Sequence, residues 1–360
     1  MRIVCPRDGG SILVEGVDGD DARLALRPDT AAPFRQWFCF EAHGPRGRVR
    51  SFAIEAANEA TYADAWEGYR VSATEDGRTW VRLPTGLDDG TLRFEHLATR
   101  RRARYAYFAD YPWQRHRRLV RAAVAQTSLR RWSLGRTARG RAIDALVLGE
   151  PGRGRPRLWI IARQHPGESP SAWFIEGLLG RLGRQGDRAA RALARGALVV
   201  VVPAMNPDGV ALGNHRTNAL GVDLNRSWLE PSLAPEVVAV QAGMARLGVD
   251  FLLDVHADER LPWSFAATSG GPAEDLERGF IHALLEASED FQDEHGYPPD
   301  AEPDRVMAQG WVAGELGRPA ITLELPFKDA DGAPDAHGYS PERAQALGGS
   351  AVEALVAIAG

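Results

Sequence analysis

Four apolar runs constrain this chain more than any other feature. Residues 158–162 (LWIIA), 197–203 (ALVVVVP), 250–256 (DFLLDVH) and 320–325 (AITLEL) are short and show little polar alternation. Such runs read as strands covered on both faces, the condition of strands in a mostly parallel sheet packed between helices. Helical periodicity follows or separates them at about 170–182, 234–247, 274–288, 308–316 and 341–358, and 142–149 adds a further strand. Strands alternating with helices predict an α/β layer fold, a mixed β-sheet flanked by helices, from near Tyr111-Pro112-Trp113 onward.

The residues before that point follow another pattern. Alternation at 11–16, 36–42 and 48–55, punctuated by Gly, Asp and Pro, predicts an all-β sandwich. Segments 69–73 and 79–83 flank Asp76-Gly77 and predict a hairpin. Trp37, Phe38, Phe40, Trp66 and Trp80 are read as core, and no His, Cys and acidic cluster assigns chemistry here. The expected division is 1–112 for the sandwich and 113–360 for the α/β half.

Composition excludes several classes. A formal charge of −5 gives no electrostatic reason to expect nucleic acid. Two cysteines, Cys5 and Cys39, cannot build a disulfide framework, and no run approaches membrane-spanning length. The opening residues have no apolar signal core, so the expectation is a soluble, cytoplasmic protein with no membrane partner. The arginine runs 100–104 and 115–118 are read as a solvated face or an inter-domain seam.

The polar residues at the ends of the apolar runs carry the chemistry, because open α/β sheets place ligands beyond the carboxyl ends of their strands. Gln164-His165-Pro166-Gly167-Glu168 follows the first run. An imidazole and a carboxylate three residues apart can close on one metal ion, although His-x-x-Glu alone is more commonly a surface pair. His256 ends the third run, and with His165 and Glu168 makes a two-His, one-carboxylate set that leaves a position for water. Taken alone, His256 reads more readily as a core histidine satisfied by the backbone. Glu324 is a carboxylate inside an apolar strand. It needs a cation or a solvent-filled site, and it suits a general base; the alternative is an ion pair with an arginine. Between these lies the loop 213–226, where Arg216 and Arg226 suit a carboxylate or a developing oxyanion, unless its Asn and Asp residues only make turns.

In order, His165-Pro166-Gly167-Glu168, Asn206-Pro207-Asp208-Gly209, Gly221-Val222-Asp223-Leu224-Asn225-Arg226, Asp254-Val255-His256 and Thr322-Leu323-Glu324 resemble the landmarks of the zinc metallocarboxypeptidases related to carboxypeptidase A. The preceding β-module and Trp37-Phe38-Cys39-Phe40 are similar to the cytosolic carboxypeptidases, and residues 254–259 and 325–329 to their bacterial branch. The resemblance implies an α/β/α catalytic domain and release of a C-terminal residue from a peptide or protein tail. It implies one zinc ion on His165, Glu168 and His256, with Glu324 as general base and acid. It further implies that Asn225 and Arg226 hold the terminal carboxylate and that Arg216 stabilises the oxyanion. Asp254 and Asp258 are read as acceptors that orient the ligand imidazoles.

Two positions depart from the pattern. Carboxypeptidase A has an arginine where this chain has Gly167. It also has a mobile tyrosine where counting back from Glu324 reaches Glu302, and no tyrosine lies between Pro298 and Glu324. Acidic C-termini are a further expectation from the cytosolic relatives, with Arg305 as the candidate basic residue. The alternatives are an amidohydrolase of the same fold acting on a small acylated amino acid, and a catalytically silent binding protein.

Overall fold

The computed structural model describes residues 1–229, 232, 234–269, 274–298, 304–329 and 338–360. Glu302 lies outside them. Ten strands form the N-terminal region: β1 (Arg2–Val4), β2 (Leu13–Asp18), β3 (Asp21–Ala25), β4 (Cys39–His43), β5 (Arg48–Glu55), β6 (Val71–Thr74), β7 (Val81–Leu83), β8 (Thr85–Asp88), β9 (Thr91–Ala98) and β10 (Arg102–Ala106). They build two five-stranded sheets, ordered β1-β4-β10-β6-β7 and β2-β3-β5-β9-β8. Aromatic rings fill the space between the sheets. Phe52 of one sheet lies 5.5 Å from Phe40 and 4.6 Å from Tyr105 of the other, centroid to centroid. Trp37, Phe38, Phe40, Trp66 and Trp80 are all buried, as core aromatics should be. The hairpin around Asp76-Gly77 is present as β6 against β7.

Helix α1 (Trp113–Gln126) leads into the second half. Its elements are β11 (Arg130–Arg136), β12 (Ala142–Leu148), β13 (Arg157–Ala162), α2 (Ser169–Leu182), α3 (Arg188–Gly196), β14 (Leu198–Val202), α4 (Pro207–Leu212), α5 (Pro235–Leu247), β15 (Phe251–Asp258), β16 (Phe265–Thr268), α6 (Glu274–Ala287), α7 (Ala308–Leu316), β17 (Ala320–Pro326) and α8 (Pro341–Ala359). The seven strands form one mixed sheet, β11-β12-β14-β13-β15-β17-β16, in which β14, β13, β15 and β17 run parallel.

Alternation along β13 shows why its sequence is apolar throughout. Leu158, Ile160 and Ala162 enter the core shared with α2 and α8, while Trp159 and Ile161 enter the core shared with α5 and α7. Helices α2 and α8 approach very closely. A Cβ at Gly177 would lie 1.9 Å from the Gln345 carbonyl oxygen, and one at Gly348 would lie 2.0 Å from that of Phe174.

Polarity changes along the α7 side of the sheet. On β15 that side carries Leu252, then Asp254, His256 and Asp258; on β17 it carries Ala320, then Thr322 and Glu324. The sheet is thus an apolar slab that turns polar at the carboxyl ends of two adjacent strands. Of the arginine runs, Arg100, Arg101, Arg102, Arg117 and Arg118 are exposed, while Arg104 pairs with Glu41 and Asp110, each at 2.7 Å, and Arg115 pairs with Glu176 of α2 at 2.8 Å.

Candidate active site

The turn after β13 is fixed by a buried arginine. Arg163 takes a left-handed backbone (φ 61°), and its guanidinium donates to the Pro166 carbonyl at 3.0 and 2.7 Å and to the Tyr111 carbonyl at 2.8 Å. This closes 163–168 into a tight loop that delivers His165 and Glu168 to the cleft. His256 arrives from the end of β15. Donor atoms of His165, Glu168 and His256 all lie within 4.8 Å of one another. The Glu168 carboxylate spans the two rings, 2.5 Å from His165 Nδ1 and 3.0 Å from His256 Nδ1. Burial pushes the Glu168 carboxyl up, but the two imidazoles outweigh it and hold it well below the usual range.

Each imidazole is braced from behind. His256 Nε2 lies 2.9 Å from Asp254 Oδ2, and His165 Nε2 lies 3.1 Å from Asp223 Oδ1. Carboxylates on the outer nitrogens set both Nδ1 atoms toward the shared centre, the arrangement found behind metal-binding histidines. Two imidazoles and a carboxylate, drawn together in a buried site, are a donor set that fits zinc. Asp254 therefore lies against an imidazole, where an orienting acceptor was expected. Asp258 does not: its carboxylate accepts the Arg260 and Leu261 backbone N–H groups and the Tyr297 hydroxyl. Asp223 takes the second bracing position instead.

Glu324 is paired with His256 across β15 and β17, so both side chains project from the same face of the sheet. It is 7 % exposed and opens onto a cleft of about 570 Å³ shared with His165, Glu168, His256 and Arg216. Burial raises its carboxyl well above the usual range; His256 opposes this, while Glu168, Asp258 and Glu259 add to it. No arginine pairs with it among the described residues. Its Oε1 accepts the Tyr297 hydroxyl at 3.3 Å.

Matches to known families fall on both halves. Residues 3–108 match the cytosolic carboxypeptidase N-terminal domain, and residues 121–345 match zinc carboxypeptidase. The chain belongs to the zinc carboxypeptidase family. An uncharacterised protein of Zymomonas mobilis is 36% identical over 97% of this chain and 94% of its own length. Mouse cytosolic carboxypeptidase 6 is 28% identical over 80% of this chain, which spans 59% of that protein. The metallo-carboxypeptidase of Pseudomonas aeruginosa, solved with (2-guanidinoethylmercapto)succinic acid, superposes with a TM-score of 0.94 at 39% identity, covering 99% of this chain and 98% of the other.

The structure accounts for the first departure from the family pattern and places a tyrosine close to the second. A Cβ at Gly167 would lie 2.6 Å from His215 Nδ1 and 2.9 Å from His215 Cα, so the arginine loop 213–226 leaves no room for a side chain there. Tyr297, one residue before the window in which no tyrosine occurs, brings its hydroxyl to 2.6 Å from Asp258 Oδ2, beside Glu324.

Asn225 and Arg226 sit in a 3-10 turn whose N-cap is Asp223. Asn225 is held by Gln164 at 3.2 Å and by the Ala308 N–H at 2.9 Å; Arg226 is exposed, and its guanidinium donates to the Asn225 carbonyl at 2.8 Å. Both line the cleft, as does Arg216. Arg305 does not. It is 57% exposed and pairs with Glu315 at 2.9 Å.

Proposed function

We propose that the chain is a zinc-dependent exopeptidase that releases the C-terminal residue of a peptide or protein tail. The observation that carries this is the convergence of His165, Glu168 and His256 beside Glu324 in one cleft. One zinc ion would be held by those three residues, where it supplies Lewis acidity for the scissile carbonyl and for water. Glu324 would take a proton from the attacking water and hand it to the leaving amine. Arg216 would face the charge that develops on the carbonyl oxygen, and Asn225 with Arg226 would clamp the terminal carboxylate. The Pseudomonas neighbour was solved with a succinic acid derivative, a carboxylate ligand in keeping with this reading.

The wall formed by Ala266, Ala267, Thr268 and Thr322 is uncharged, and Gln309 is occupied by the Ala267 and Ala320 carbonyls. Acidic tails would rest on Arg260, which is tied to Asp64. A division at 112/113 and a cytoplasmic location complete the proposal. Two free cysteines support the location, and among the described residues no helix is long and apolar enough to cross a membrane.

The test is a mixed peptide library with free or amidated C-termini, alongside N-acyl amino acids. Loss of one residue from the free-acid peptides alone, abolished by chelation, is the expected result. Turnover of N-acyl amino acids only would replace the peptide with a small amide substrate. Zinc uptake without turnover of any of them would favour a binding role.

A further inference from the structure

The β-module was expected to carry no chemistry, yet its loops run along the arginine loop of the catalytic half. The connection 26–38, between β3 and β4, meets 212–217 residue by residue. Arg27 donates to the Leu212 carbonyl at 2.6 Å, and Thr30 donates through its N–H and hydroxyl to Asn214 Oδ1 at 3.0 and 3.1 Å. The Asp29 carboxylate, 6 % exposed, accepts the N–H groups of His215, Arg216 and Thr217 at 2.5, 2.8 and 2.8 Å, and the Thr217 hydroxyl at 3.0 Å. Four donors on one carboxylate leave that backbone little freedom.

The guanidinium of Arg216 is gripped as well. Its Nε donates to Asp223 Oδ2 at 2.6 Å, and its NH1 donates to the Tyr62 hydroxyl. Phe34 lies beneath it, 5.7 Å from ring centroid to guanidinium carbon. Tyr62 is itself clamped by the buried Gln36, which accepts the Tyr62 N–H at 3.0 Å and donates to its carbonyl at 3.4 Å. An arginine has several rotatable bonds, so a donor that must meet a developing charge without reorganising has to be held in advance.

We propose that Tyr62 and Asp29 are positioning residues of the catalytic site: Asp29 fixes the backbone that presents Arg216, and Tyr62 fixes its guanidinium. The β-module is on this account a working part of the enzyme. The proposal rests on the role given to Arg216, and the test separates the two.

Tyr62→Phe keeps the ring against Arg260 and His215 and removes only the hydroxyl. It should lower kcat about tenfold with KM within about threefold, and leave zinc content and melting temperature unchanged. Arg216→Ala should lower kcat about a hundredfold to a thousandfold. In the Arg216→Ala background, Tyr62→Phe should change kcat by less than about twofold, because it then has nothing to hold. Asp29→Asn should behave likewise, lowering kcat in the wild type and remaining silent beside Arg216→Ala.

Full activity of Tyr62→Phe with a crippled Arg216→Ala would overturn the positioning role and leave Arg216 in place. An active Arg216→Ala would remove the reading on which the proposal stands. Equal losses from Tyr62→Phe or Asp29→Asn in both backgrounds would show that the residue acts on something other than Arg216.

Discussion

The two halves of the molecule place their polar groups by opposite rules. In the α/β half, the side chains proposed for the metal and for proton transfer stand at or just past the carboxyl ends of β13, β15 and β17, where an apolar slab gives way to Asp254, His256 and Glu324. In the β-module the inter-sheet faces of the strands supply core, and Asp29 and Tyr62, the polar residues that reach the loop of Arg216, lie between strands. The difference follows from the sheets. A parallel sheet covered on both faces is open only at its ends, whereas a sandwich is filled between its sheets and free at its connections.

The sharpest test of the strand-end rule is Glu324→Gln, which keeps the shape and loses the proton acceptor. We expect kcat to fall by about three to four orders of magnitude with zinc binding retained, measured by peptide turnover and metal content. Wild-type turnover would break the rule at its central position. The opposite half is probed by Phe52→Ala, which removes a ring packed on Phe40, Phe94 and Tyr105. Denaturant unfolding should show a loss of about 3–5 kcal/mol. A loss under about 1 kcal/mol would mean that the module core tolerates a cavity better than its packing suggests.

Removing the metal should act on the α/β half directly. At free zinc a hundredfold above its dissociation constant, binding to the folded state alone contributes about 2.7 kcal/mol, so chelation should lower the melting temperature measurably. An unchanged melting temperature would argue that His165, Glu168 and His256 bind nothing. The smallest effect belongs to Arg305→Ala. Its exposed pair with Glu315 is worth little, and kcat/KM for acidic or neutral C-termini should stay within about twofold of wild type. A selective loss on acidic tails would return Arg305 to the substrate.

Most of the α/β half was legible because its signals are local. A run such as LVVVV cannot be anything but buried, and His165, Glu168, His256 and Glu324 stand out as polar residues where burial is expected. Strands β1, β3, β8, β9, β10, β11 and β16 and helices α1, α3 and α4 were not picked out. The first turn of α1, Trp113-Gln114-Arg115-His116, is largely polar and basic, and such residues do not declare a core face. Bracing partners were harder still. Asp223 lies within a quoted motif, but its bond to His165 depends on how the loop folds back. Tyr297 immediately precedes the segment from Pro298 to Glu324, which itself holds no tyrosine. Asp29 and Tyr62 carry no motif, because their partners lie more than a hundred residues away along the chain and only the packing of the two halves joins them.

The central claim is that three distant side chains share one ion. Anomalous diffraction at the zinc edge from crystals of the zinc-loaded protein tests it most directly. The account predicts a single strong peak within bonding distance of His165, Glu168 and His256, with Glu324 facing it. A peak among other residues, or none in crystals grown with excess zinc, would contradict it.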